Sequence, residues 1–316
     1  MSKEFGKLYA AYGGEKWIPR IKSHREEIGQ LWEFCGVDSE YAPLKSVLLH
    51  APGPEWTEIN DPKALQMMDC PELDLALKQH KAISQAYREA GVDVHYVKPD
   101  CVPPPNLVFC ADLFFMTPEG AILARPASMI RAGEERWVAR RLADLGVPIL
   151  RTLTGEANFE GADAQWITRD MILLGRGLRT NTEGIFQVSE TLESINIKTV
   201  AVDLPVGTMH LMGMLRFLDR DLAIAWPGRL SFYALQILRK NGYKVVFLPD
   251  EGEALNHSLN FVTLAPRKIL MSSGNPITQQ YLESLGVNCI TAKTFELNKA
   301  AGGIGCLTGV IKREFI

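Results

Sequence analysis

Five short segments carry the residues best suited to covalent chemistry. In order they read CAD ending at Asp112, FEGAD spanning Phe159–Asp163, MHLMGM spanning Met209–Met214, SLN ending at Asn260 and GGIGC ending at Cys306. Together they supply Asp112, Glu160, Asp163, His210 and Cys306. A cysteine attacks as its thiolate and needs a base or a positive neighbour to become one. His210 suits proton transfer, because imidazole titrates close to neutral pH. Two carboxylates beside a thiolate would repel it unless they hold a cation. A planar cation with forked donors, a guanidinium, matches such a pair and promotes the thiolate at the same time. Gly302, Gly303 and Gly305 around Cys306 permit close backbone approach. Taken singly each residue has an ordinary structural role; taken together they describe a nucleophile, a proton carrier and a seat for a guanidinium.

These residues lie up to two hundred positions apart, so something must bring them together. A repeat does this. A strand, a tight turn, a second strand, a helix and a third strand recur. First strands begin at Leu113 (LFFMT), Ala164 (AQWIT), Leu215 (LRFLD) and Phe261 (FVTLA), 46 to 51 residues apart. The turns between first and second strands are Pro118-Glu119-Gly120, Arg169-Asp170, Arg220-Asp221 and Pro266-Arg267. Helices are predicted around Glu134–Leu145, Glu183–Ser194, from Ser231, and around Ile277–Leu285. A fifth copy is split between the chain ends: Leu307–Arg313 supplies its first strand, Lys45–His50 its second, Glu72–Ala90 its helix and VDVHYV its third strand. Apolar residues at spacings of three and four mark the helices, and β-branched and aromatic runs mark the strands. Closing a ring between first and last copies removes exposed sheet edges. Each segment named above immediately precedes a first strand, so the ring would converge all five on its axis.

The fold class predicted is therefore α/β, a five-bladed α/β-propeller of ββαβ units. It occupies residues 41–316 as one catalytic domain, preceded by a helical extension over residues 1–40. Within that extension, residues 21–34 read as a helix acting as a lid or a packing arm.

Composition bounds the function. Net charge is −3 over 316 residues, so no basic face for nucleic acid is expected. No apolar run approaches the roughly 18 residues of a membrane span, and no apolar leader follows the mixed-charge start, so a cytoplasmic protein is expected. The six cysteines form no CxxC pair, and none lies at zinc-ligand spacing. We expect neither a metal nor a cofactor.

Four motifs together, NLVFCAD, NFEGADAQW, GTMHLMGML and GGIGCLTGVIKRE, resemble the guanidino-modifying superfamily, whose members include arginine deiminases, dimethylargininases and arginine amidinotransferases. The resemblance runs from about Leu44 to the C-terminus. It implies the same five-bladed propeller, the pentein fold. It also implies that Cys306 attacks a guanidine carbon to form a covalent thiouronium, that Asp112 and Glu160 hold the guanidinium, and that His210 protonates the departing amine. Asp163 matches the second acid of the family's Glu-Gly-Gly-Asp-like turn and counts among the substrate-binding set. Arg131, and Arg179 in GRGLRTN, resemble arginines that clamp a substrate carboxylate. Deiminases and amidinotransferases usually carry His-x-Asp at the histidine motif; here Met212 takes the acid's place, which suits an alkylated or less polar guanidine. Residue 111 is Ala where relatives carry a further polar group. The reading is a hydrolase on a small-molecule guanidino compound. An amidinotransferase is its alternative and a silent arginine-binding protein a third. A homodimer is compatible with the resemblance.

Overall fold

The computed structural model describes residues 8–57 and 59–316. A one-turn helix α1 (His24–Glu27) precedes β1 (Leu44–Leu49), α2 (Leu73–Glu89) and β2 (Asp93–Tyr96). Four complete ββαβ units follow. The first is β3 (Phe114–Thr117), β4 (Gly120–Leu123), α3 (Glu135–Asp144) and β5 (Ile149–Thr152). The second is β6 (Ala164–Thr168), β7 (Met171–Arg176), α4 (Thr182–Glu193) and β8 (Lys198–Asp203). The third is β9 (Leu215–Asp219), β10 (Leu222–Ala225), α5 (Phe232–Lys240) and β11 (Lys244–Phe247). A short α6 (Glu251–Leu255) leads to the fourth, β12 (Val262–Ala265), β13 (Lys268–Ser272), α7 (Pro276–Ser284) and β14 (Asn288–Ala292). Two further short helices, α8 (Phe295–Asn298) and α9 (Ile304–Leu307), lead into β15 (Gly309–Arg313).

The described residues form five three-stranded sheets. In each, the first strand runs antiparallel to the second and the second parallel to the third. The split unit obeys the same rule. Strand β15 pairs antiparallel with β1, with Val47 opposite Val310, and β1 pairs parallel with β2. The two ends of the chain thus complete one blade, as the sequence predicts.

The first strands form the inner ring, and side chains bind neighbouring blades across it. Gln165 of β6 donates to the Leu215 carbonyl of β9 at 2.9 Å. Thr263 of β12 donates to the Phe217 carbonyl of β9 at 2.5 Å. Arg313 of β15 donates to the Thr263 carbonyl at 2.8 Å. The ring is tight where it closes on β3: a Cβ at Gly161 would lie 2.2 Å from the Phe114 carbonyl oxygen, and one at Gly309 would lie 2.4 Å from the Phe114 ring. Burial follows this layering. Strand β3 is buried throughout, whereas the outer strand β8 alternates between buried and exposed positions. Inner strands covered on both faces need continuous apolar runs; outer strands need only one apolar face.

The predicted helices and strands of the repeat lie within a few residues of those observed. The extension departs from expectation. Part of it, residues 1–7, lies outside the described residues. Within residues 21–34 only α1 is helical. Ser23 and Glu26 cap its start reciprocally, and Gly29 at φ +79° ends the run, a conformation that costs glycine little. The segment packs as an arm. His24 contacts the Glu119 carbonyl at 2.9 Å, and Glu33 donates its N–H to the Gly146 carbonyl. Glu119 follows β3 whereas Asp112 precedes it, so this contact lies at the opposite end of β3 from the candidate site.

Candidate active site

Four of the five segments entering a first strand fold into the same tight turn, and this common frame positions their side chains. The N–H of the fourth residue donates to the carbonyl of the first in Phe109–Asp112, Glu160–Asp163, His210–Gly213 and His257–Asn260. Glu160 and His210 therefore occupy one position of the frame. Asp112, Asp163, Gly213 and Asn260 occupy another. The third position places Ala111, Ala162 and Met212 together in one small buried cluster on the axis. Met212 thus supplies packing where the resemblance would have a third carboxylate.

Cys306 sits on α9 and is partly exposed. It lines two compartments. One, of about 20 Å³, is shared with Asp112, Arg131, Arg179 and Asn106. The other, of about 340 Å³, is shared with His210 and Met212. The thiol, the acids and the imidazole, scattered in sequence, therefore meet.

The Nε2–H of His210 donates to Glu160 Oε2 at 2.7 Å. Its Nδ1 lies 3.8 Å from Asp112 Oδ1, beyond hydrogen-bond reach. That Asp112 oxygen is buried and has no hydrogen-bond partner among the described residues. Burial lowers the proton affinity of His210, but Asp112, the hydrogen bond to Glu160 and Asp163 outweigh it and raise the pKa to about 9. The resting imidazole is therefore protonated at neutral pH. Burial would raise the Glu160 pKa, but His210, Arg131 and Arg179 together hold it well below the ordinary carboxylate range.

The thiol is in the opposite state. Burial and the nearby Asp112 charge push the Cys306 pKa up to about 11, although Asn260 and the Gly303 backbone pull against them. Asn260 Nδ2 donates to the sulfur at 2.9 Å, and the Cys306 N–H donates to Asn260 Oδ1 at 2.9 Å. Sequence reasoning placed Asn260 in the right loop but assigned it no role, because a neutral amide carries no signal of contact with a thiol.

Arg131, expected to clamp a substrate carboxylate, is engaged with groups of the protein itself. Its donors are already taken: Nη1 reaches Asp112 at 2.6 Å and Glu160 at 3.5 Å, Nε reaches Glu134 at 2.9 Å, and Nη2 reaches the Asn106 carbonyl at 3.4 Å. Three buried carboxylates demand a cation, and Arg131 supplies it. Burial raises the proton affinity of Glu134, a residue missed in the sequence, and the Arg131 charge pulls it back down. Arg179 is engaged as well, with Glu160 and Gln66, both at 3.3 Å.

Asp163, expected in the substrate-binding set, is likewise engaged within the protein. Thr180 donates to one oxygen at 2.6 Å, and the Leu211 N–H donates to the other at 3.0 Å. Its carboxylate fixes the backbone just after His210. Burial raises its pKa to about 6 against those bonds and the His210 charge.

Ligand atoms of Asp112, Glu160 and His210 lie within 4.8 Å of one another and could hold a divalent ion. The Arg131 guanidinium already balances two of them.

Comparison with known proteins agrees with the fold. The arginine deiminase family model matches residues 229–313. The N(G),N(G)-dimethylarginine dimethylaminohydrolase of Pseudomonas aeruginosa is 26% identical over 238 residues, which is 75% of this chain and 89% of that protein. Its counterpart from Streptomyces coelicolor is 28% identical, covering 84% and 96% of the two chains. The Pseudomonas aeruginosa enzyme in complex with citrulline superposes with a TM-score of 0.73 at 22% identity, covering 86% of this chain and all of that one. SxtG, an amidinotransferase from Microseira wollei, also gives 0.73, at 15% identity over 89% and 98%. The chain is similar in sequence to guanidino-modifying enzymes and shares the pentein fold of these solved structures. Both sequence relatives named above are dimethylarginine dimethylaminohydrolases, and the likeness is to that kind of enzyme.

Proposed function

We propose that the protein is a hydrolase acting on the guanidino carbon of arginine or a substituted guanidine, with Cys306 as nucleophile. The observation that carries this reading is the unsatisfied Asp112 oxygen facing His210 across 3.8 Å, in a site whose wall includes the thiol. A buried carboxylate oxygen without a donor is costly, and an N–H of a guanidinium would satisfy it.

The steps follow from the protonation states. A cationic guanidinium brought beside the thiol offsets the Asp112 charge and favours loss of the thiol proton to solvent. The thiolate forms a C–S bond to the guanidine carbon. The bond from carbon to one nitrogen breaks, and the departing amine takes a proton from the His210 imidazolium. The neutral imidazole then accepts a proton from water as its oxygen adds to the thiouronium carbon. The C–S bond breaks, leaving a urea-type product and the thiolate. Asn260 donates to the sulfur in both anionic stages, and Glu160 keeps His210 oriented.

The relatives named as hydrolases support this reading. Among the described residues no helix is long and apolar enough to cross a membrane. The free cysteines suit a reducing compartment, so the same reading sets the enzyme in the cytoplasm.

The test is incubation with arginine, methylated arginines and simple guanidines, with and without an amine such as glycine, read by mass spectrometry. A ureido product and a free amine in plain buffer, with a trapped adduct on Cys306, are expected. Product formed only when amine is present would replace hydrolysis by amidino transfer.

A further inference from the structure

The frame that enters each first strand carries Asp112, Asp163 and Asn260 at equivalent positions. In the third blade that position is Gly213. A Cβ built on Gly213 meets no atom within 4 Å, so the missing side chain leaves open space. That space belongs to the 340 Å³ compartment beside His210 and Cys306, a size within the roughly 300–1,000 Å³ of small-molecule sites.

Its walls are apolar. Met68, Met209, Met212, Met214, Trp226 and Leu259 line it. Methionines adapt to ligands of varied shape. Besides the His210 imidazolium at its inner end, its charged member is Arg229, which is turned onto the Trp226 ring at 5.0 Å and donates to the Gly207 carbonyl. Burial lowers the proton affinity of His257, so that part of the wall is neutral. Leu255 and Met68 are 65% and 66% exposed, so the compartment has an apolar rim at the surface. The Arg131 compartment, at about 20 Å³, has room for about one water. The free volume at the nucleophile therefore lies on the His210 side.

We propose that this compartment binds an apolar chain carried on the nitrogen that leaves, so that the substrate class is an N-alkyl or N-aralkyl guanidine. The inference rests on the hydrolase reading above. The proton donor for the departing amine lies on the wall of the compartment, so a group seated there is attached to the nitrogen that His210 protonates. Cys306 bonds to the guanidine carbon, the bond to the alkyl-bearing nitrogen breaks, and that amine leaves with the His210 proton. Water then displaces sulfur. An N-alkylguanidine and water give the alkylamine and urea.

The experiment measures kcat/KM for methyl-, propyl-, butyl-, hexyl- and benzylguanidine, with Nω-methylarginine alongside, and identifies products by mass spectrometry. Each added methylene is expected to raise kcat/KM about threefold, as burial of one methylene allows, with alkylamine and urea as products. Gly213→Leu fills the compartment, and the hexyl-to-methyl ratio of kcat/KM is expected to fall at least about tenfold, the loss of about two buried methylenes. Leu255→Asp, at an exposed position that does not threaten folding, is expected to lower the same ratio. Turnover of methylguanidine or Nω-methylarginine with no gain along the series overturns the inference and leaves the hydrolase reading standing. Ammonia and N-alkylurea as products overturn the assigned orientation. No turnover of any guanidine removes the hydrolase reading, and this inference with it.

Discussion

Asn260 and Cys306, 46 residues apart, are joined by a reciprocal pair of hydrogen bonds, each 2.9 Å. One holds the backbone that presents the thiol; the other is a donor aimed at the sulfur. In the proposed mechanism the same contact positions the nucleophile and stabilises its anion, beside an Asp112 charge that opposes ionisation.

Asn260→Ala removes both bonds. A hydrogen bond to a charged group contributes about 1.5–3 kcal/mol, so kcat/KM is expected to fall about 10- to 100-fold. The thiolate titration, followed by ultraviolet absorbance against a Cys306→Ser blank, is expected to move above its wild-type midpoint near 11. An unmoved midpoint would show that the amide acts on backbone position alone.

Cys306→Ala is expected to abolish turnover while guanidine binding stays measurable by calorimetry, since the acids that hold the cation remain. His210→Ala is expected to form the thiouronium slowly, since the departing amine loses its proton donor, and to release it poorly, since the step that activates water loses its base. A His210→Ala enzyme with normal steady-state turnover would take this residue out of the mechanism.

Stability should depend on pH through His210. Its pKa rises from an unfolded value of about 6.5 to about 9 when folded. The folded protein therefore binds the proton more tightly, and the associated stability is fully present below pH 6.5 and is lost as pH rises through 9. The raised thiol pKa of Cys306 acts in the same direction at higher pH. The informative quantity is thus the difference between wild type and His210→Gln. Urea midpoints from pH 6 to 9.5 should decline more steeply for the wild type. Parallel declines would place the proton elsewhere.

Arg131 holds Asp112 and Glu134 at 2.6 and 2.9 Å in a buried setting. Arg131→Ala leaves those carboxylates without their cation, and breaking a buried pair in this way costs about 3–5 kcal/mol. Arg179→Ala should cost less, since its one carboxylate contact is longer, at 3.3 Å. Denaturant unfolding of both variants checks the order, and an equal loss would contradict the central role given to Arg131.

Much of this molecule is written along the chain. Short apolar strands, turn residues and helical spacing recur at a near-constant interval, and local propensity alone fixes such elements. The split blade was legible because Leu307–Arg313 and Lys45–His50 each supply a strand that the other lacks. The phase of Asp112, Glu160, His210 and Cys306 within the repeat was legible for the same reason. Partnership was not. Arg131 reads in sequence as a surface or clamping arginine; only the fold brings three carboxylates around it, and electrostatics then decides its role. Asp163 resembles a substrate ligand until Thr180 and the Leu211 N–H occupy both its oxygens. Asn260 carries no charge to betray it, and Gly213 acts through the side chain it lacks. Residues 21–34 have helical composition, yet an early cap and Gly29 cut the helix to one turn. A sequence specifies which groups exist and at what phase they return. Which group neutralises which, and where space is left, depends on distances that exist only once the blades have closed.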